Sequence, residues 1–154
     1  MMQKPKLFLD TNTIIDYLDE REPFYEGARL LMICGRLAEL ELWMTGSQAT
    51  DLVYILSEGG KPSRIARVLS RLRALRAFVN VWPTGPNEVD AMLSATWDDP
   101  EDALVYDSAL RLGADAIITR DKKGFEQSNL PVKDCDELFQ WLEDEFDLTY
   151  GEIA

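Results

Sequence analysis

Residues 6–18 read KLFLDTNTIIDYL. A short apolar run ends on an acid, and apolar residues at helical spacing follow at once. A strand passing directly into a helix, with no hairpin between, is the opening of a β–α unit. The pattern recurs. KLFLD, LWMT, AFVNVW and DAIIT read as short strands. Between and after them lie TNTIIDYLDE, FYEGARLLMICGRLAELE, SQATDLVYILSE, KPSRIARVLSRLRALR, NEVDAMLSATW, DDPEDALVYDSALRLG and CDELFQWLEDEF, which read as helices. Ser47 is expected to cap the third helix, Pro62 and Pro100 to sit in first turns, and Gly113 to stop the sixth. Short apolar strands alternating with helices predict an α/β fold, a parallel sheet covered on both faces.

Composition bounds what such a chain can do. Its 154 residues suit one domain, and 46% hydrophobic residues suffice for a core. No apolar run approaches the ~20 residues of a membrane helix, and the N-terminus lacks a signal-like apolar stretch, so a cytoplasmic address is expected. Cys34 and Cys135 lack metal-motif spacing and read as free thiols. Histidine is absent, which excludes Ser-His-Asp and Cys-His chemistry. The net charge of −12 is lopsided: residues 1–77 carry 11 basic and 10 acidic side chains, residues 78–154 carry 5 and 18. A chain this acidic is not a general nucleic-acid binder, but it suits divalent cations or a basic partner.

In parallel α/β sheets, ligands gather beyond the carboxyl ends of the strands. Asp10 ends the first strand and Asp121 follows the last, after Thr119 and Arg120. Asp51 lies in the helix after the second strand, and Asp102 in the first turn of the helix opened by DDPED. Each has an ordinary explanation. Asp10 can cap a helix, Asp51 can face solvent, Asp99 and Asp102 can form a start-of-helix box, and Asp121 can shape a turn. Together at one sheet edge they are costly: one like pair about 4 Å apart repels by ~4 kcal/mol at an effective dielectric of 20. A hard cation such as Mg²⁺ or Mn²⁺ would relieve that cost.

The segments FLDTNTIIDYL, TGSQATDLVYIL, DDPEDALVYDSALRLGADAIITRD and KGF, in that order, resemble a PIN domain over about residues 6–133. The resemblance implies a three-layer α/β/α fold with a central parallel sheet of four or five strands. It also implies a metal-dependent ribonuclease similar to the VapC-type toxins of bacterial toxin–antitoxin pairs, leaving a 5′-phosphate. It places the family's four acids on Asp10, Asp51, Asp102 and Asp121, with Asp10, Asp102 and Asp121 as ligands of Mg²⁺ or Mn²⁺. Asn12 and Thr119 would orient those ligands. Two departures stand out. The second acid is usually glutamate, and Gly124 stands where relatives often carry an acid before the phenylalanine of KGF. The expected division is a single PIN-like nuclease domain at 1–146 and a short, loose acidic tail at 147–154.

Residues 61–76 hold six of the 16 basic residues. Arg64, Arg67 and Arg71 share a helix face, which is either a solvated surface or, with Arg120, an RNA-binding rim. The expected partners are RNA, a cognate antitoxin and a second copy of the chain, the last suggested partly by the apolar and aromatic residues of the helical segments, including Trp43 and Phe24. Two other classes compete. A haloacid-dehalogenase-type phosphohydrolase also places an aspartate after its first strand, but its D-x-D would need an acid where Asn12 stands. A non-catalytic PIN-like binding or scaffold module has no need of a metal.

Overall fold

The computed structural model describes residues 4–150. Five strands form one parallel sheet: β1 (Lys6–Leu9), β2 (Glu41–Thr45), β3 (Val79–Trp82), β4 (Ala116–Ile118) and β5 (Val132–Lys133), in the order β3-β2-β1-β4-β5. Seven α-helices flank it: α1 (Thr11–Leu18), α2 (Tyr25–Arg36), α3 (Gly46–Leu56), α4 (Pro62–Leu75), α5 (Pro86–Ser94), α6 (Pro100–Leu112) and α7 (Cys135–Phe146). A three-layer α/β/α architecture results.

The side-chain alternation of the strands builds the layers. Leu7, Leu9, Leu42, Met44, Ala116 and Ile118 face one side, where they meet Ile14, Leu31, Leu52, Leu75, Leu138 and Leu142 of five helices. Phe8 and Ile117 face the other, against Val105 and Ala109 of α6, with Trp43 and Trp82 packed alongside. Both faces of β1 are fully buried, which is why KLFL reads as a continuous apolar run rather than an alternating one. Pro100 opens α6 behind the Asp99 cap, and Gly113 closes it in the left-handed conformation at φ 77°, as the sequence predicts.

The strand order positions the site. From β1 the chain moves outward on one side through β2 and β3, then returns to place β4 on the other side of β1. The order reverses between β1 and β4, and in such sheets ligands gather beyond the carboxyl ends of the strands at this switch point.

Five strands agree with the expected four or five; the fifth has only two residues, paired through Ile117 N–H to the Pro131 carbonyl and Thr119 N–H to the Lys133 carbonyl, too short to leave a periodic signal. Three expectations need correction. The cap of α3 is Thr45, not Ser47. The Thr45 hydroxyl accepts from Gln48 N–H at 3.1 Å and the Gln48 side chain accepts from Thr45 N–H at 2.7 Å, a reciprocal box that outcompetes a single serine. Trp43 lies in strand β2, not in a helical segment, and packs edge-on to Trp82. The tail is not loose over its first four residues, because Tyr150 is buried against Phe139; residues 151–154 lie outside the described chain.

Candidate functional site

Asp10 is the N-cap of α1, and its Oδ1 accepts from Thr11 N–H at 2.8 Å. The ordinary explanation of this acid is therefore correct, but incomplete. Its Oδ2 accepts from the Thr119 hydroxyl at 2.8 Å and from the Asn12 amide at 3.1 Å. Asn12 Nδ2 also reaches Thr119 Oγ1 at 3.2 Å, so both residues assigned an orienting role do touch Asp10. Across the crevice, Asp10 N–H and the Thr13 hydroxyl both donate to the Ile118 carbonyl, which ties α1 to the end of β4. Asp10 is a buried carboxylate fixed by three donors. Burial raises its pKa, the Thr119 and Thr11 bonds pull it back, and the Asp121 and Asp99 charges add to the rise.

Asp102 lies in the first turn of α6 and is also buried. Its pKa is pushed up to about 7, first by burial and then by the charges of Asp10, Asp99, Asp121 and Glu101. Asp121 is exposed at the turn after β4; its N–H donates to Thr119 Oγ1 and its Oδ1 accepts from Gly124 N–H, both at 3.0 Å. A methyl group built on Gly124 would stand 2.6 Å from both Asp102 Oδ2 and Asp121 Oδ2. Those two carboxylates therefore share one small space.

Asp51 lies on α3, and its charge is among those that raise the pKa of Glu101. Glu101 is a member that sequence reasoning missed. Its carboxylate accepts from the Thr11 hydroxyl at 3.0 Å. Burial raises its pKa, the Thr11 bond opposes the rise, and the Asp51, Asp10 and Asp99 charges reinforce it. In sequence Glu101 is indistinguishable from any acid favouring a helix N-terminus. Gln48 was missed as well. It is fully buried and donates to the Leu9 carbonyl at 2.9 Å and to Thr11 Oγ1 at 3.1 Å, locking the end of β1 to α3. Its signal was legible in the T-x-x-Q spacing of the capping box.

No ion pair compensates these acids. Among the described residues, none of Asp10, Asp51, Asp99, Glu101, Asp102 and Asp121 lies within 4.0 Å of a basic nitrogen. Two nearby cations are committed elsewhere. Arg120 makes a bidentate pair with buried Asp16, at 2.6 and 3.0 Å, and its guanidinium lies 3.9 Å over the Phe24 ring. Lys122 pairs with Glu137 and Asp134. Arg120 thus anchors the turn that carries Asp121 to helix α1, with its side chain still 31% exposed.

The donors are all hard oxygens at a crevice, which fits Mg²⁺ or Mn²⁺ and not zinc or copper. Among the described residues, no three acid, cysteine or histidine side chains are drawn together into a formed metal group. Among the neighbouring charges, Asp10 acts most strongly on Asp102, followed by Asp99 and Asp121. Arg64, Arg67 and Arg71 line one hollow of about 410 Å³ beside Leu18 and Leu56, away from the acids; Arg64 also pairs with Glu58 at 3.3 Å. No described helix is long and apolar enough to cross a membrane.

Residues 6–123 match the model of the PIN domain family. Ribonuclease VapC1 of Aquifex aeolicus is 26% identical over 130 residues, covering 79% of this chain and 85% of that protein. Among solved structures, VapBC2 of Rickettsia felis, bound to a DNA fragment from its promoter, superposes with a TM-score of 0.61 at 14% identity, over 84% of this chain and 98% of that one. VapBC-1 of nontypeable Haemophilus influenzae gives 0.59 at 21% identity, over 85% and 98%. FitAcB of Neisseria gonorrhoeae gives 0.58 at 16% identity, over 84% and 97%.

Proposed function

The chain belongs to the PIN domain family, and on that basis we propose that it is a metal-dependent ribonuclease, the toxin of a VapBC-type pair. The observation that carries the reading is the uncompensated acidic crevice. Asp10, Asp99, Glu101 and Asp121 all add their charge to Asp102, none with a basic partner among the described residues, and burial and mutual repulsion hold Asp102 near a pKa of 7. A fold that only needed caps would not accumulate this cost.

Asp10, Asp102 and Asp121 would hold Mg²⁺ or Mn²⁺. When bound, the ion supplies charge stabilisation at the phosphate and activation of water. The chain's own groups do the positioning. Thr119 and Asn12 fix Asp10 Oδ2, and Thr11 N–H fixes Oδ1, so this carboxylate is preorganised before any ligand arrives. Asp51 and Glu101 lie on the helix side of the crevice, where a carboxylate can accept a proton from attacking water. The hollow holding Arg64, Arg67 and Arg71 offers positive charge for the RNA backbone. A basic antitoxin segment would complement the acids. Exposed Tyr54, Ile55, Leu69 and Leu93 offer apolar surface for a homodimer.

The test is cleavage of single-stranded RNA with Mg²⁺, with Mn²⁺ and with chelator, alongside calorimetric Mn²⁺ titration. Metal-dependent cleavage that produces 5′-phosphate ends is expected. A protein that neither binds Mn²⁺ nor cuts RNA is the scaffold module instead.

A further inference from the structure

A second hollow adjoins the turn that carries Asp121. It holds about 250 Å³ and is lined by Asp16, Phe24, Arg120, Asp134, Cys135 and Asp136. The chain ties it to the acids: Arg120 immediately precedes Asp121, and its N–H donates at 3.4 Å to Asn12 Oδ1, whose own amide reaches Asp10. The volume is smaller than the ~300–1,000 Å³ of a site for a drug-sized ligand, so a single flat ring system is the size that fits.

Its walls suit a base and not a phosphate. Phe24 is 41% exposed, a large ring that the core does not cover. The Arg120 guanidinium lies 3.9 Å from the centre of that ring, and its two bonds to Asp16 fix its plane. An aromatic ring layered with a guanidinium is the kind of surface on which unpaired bases stack. Three carboxylates face one guanidinium here, a balance that disfavours a phosphate. Both Asp16 oxygens are taken by Arg120, and Asp134 Oδ1 accepts from Glu137 N–H. Asp136 is exposed, and no described basic nitrogen lies within 4.0 Å of it. Its carboxylate is free to accept hydrogen bonds from a ligand. Guanine offers such a group two donors side by side, its ring N1–H and its amino N2–H, whereas uracil offers a lone ring N–H between two carbonyls.

We propose that this hollow is a base subsite for single-stranded RNA beside the cleavage site: Phe24 and Arg120 stack the base, and Asp136 accepts hydrogen bonds from its Watson–Crick edge, selecting guanine over uracil. The inference rests on the ribonuclease reading above and adds a source of sequence preference to it. It gives a use to an aromatic ring left uncovered next to the acids.

The experiment measures binding of labelled five-nucleotide RNAs to the full chain by fluorescence anisotropy in chelator, with thermal melts alongside. One RNA is all uridine; the other carries a single central guanosine. The parent is expected to bind the guanosine RNA at least about fivefold more tightly. Phe24→Ala is expected to weaken that binding by about fivefold or more, and Phe24→Trp to retain it. Asp136→Ala, which removes an exposed side chain, is expected to equalise the two RNAs without weakening the all-uridine one. Equal affinities in the parent, parent-like binding by Phe24→Ala, or a guanosine preference retained in Asp136→Ala each overturn the inference. If Phe24→Ala melts early, Phe24→Leu takes its place with the same expected loss. An arginine-rich peptide is titrated into the same proteins. Peptide binding that Phe24→Ala and Asp136→Ala both abolish, with RNA binding unmoved, assigns the hollow to a protein partner and overturns the inference. The functional reading fails separately: a parent that neither binds nor cuts RNA overturns both, whereas metal-dependent cleavage without base preference overturns this inference alone.

Discussion

Asp102→Asn isolates the electrostatic cost of the crevice in the metal-free protein. In the unfolded chain this carboxyl titrates near its ordinary value of 3.8; in the fold it titrates at about 7, because it is buried and faces Asp10, Asp99, Asp121 and Glu101. Below about pH 3.8 both states hold the proton, and Asp102 contributes nothing. Between the two values the unfolded chain has released a proton that the folded chain retains, so stability falls as pH rises. Above about 7 the full penalty is present, and the shift corresponds to about 4 kcal/mol. That is a large share of the 5–15 kcal/mol typical of a domain. Asparagine keeps the shape and removes the charge, and no hydrogen bond to the Asp102 carboxylate is lost. The expected result, by urea unfolding in chelator from pH 4 to 8, is near-equal stability at pH 4 and a variant more stable by several kcal/mol at pH 8. Parallel stability curves for parent and variant across that range would refute the reasoning.

Asp10→Asn is expected to behave in the opposite way. Three donors converge on Asp10, so an amide NH₂ would meet Asn12 Nδ2 and the Thr119 hydroxyl; metal-free stability should fall by about 1–3 kcal/mol at pH 7, read from thermal melts, and RNA cleavage should be lost. Arg120→Ala leaves the buried Asp16 carboxylate without its bidentate partner and should cost on the order of 3 kcal/mol by urea unfolding, whereas Arg120 acting only as an RNA contact would leave stability unchanged. Replacing Arg64, Arg67 and Arg71 together with glutamine should leave Mn²⁺ affinity intact. It should also lower the log–log salt slope of single-stranded RNA binding by about 2, measured by fluorescence anisotropy in chelator.

The linear sequence by itself determined the α/β class, four of the five strands and the helices, and it marked Asp10, Asp102 and Asp121 as candidates. It could do so because these features are local: an apolar run of strand length, a helical period, a proline at a first turn, an acid at a strand end. Asp10 carried two signals at once, since a residue that caps a helix and one that faces a ligand occupy the same place beyond a strand. What the sequence left open depends on contacts between distant residues. That Arg120 pairs with Asp16 is decided by α1 packing against the end of β4, more than 100 residues apart in the chain. Glu101 joins the acids only because the Thr11 hydroxyl lies within 3.0 Å, and nothing near residue 101 encodes that. Asp51 adds its charge to Glu101 because of where α3 lies over the sheet. Gly124 reads as a plain turn glycine until Asp102 is brought beside it by α6. Burial, shared space and the sum of nearby charges are properties of the packed chain, and they turn separate helix caps and turn residues into one acidic crevice.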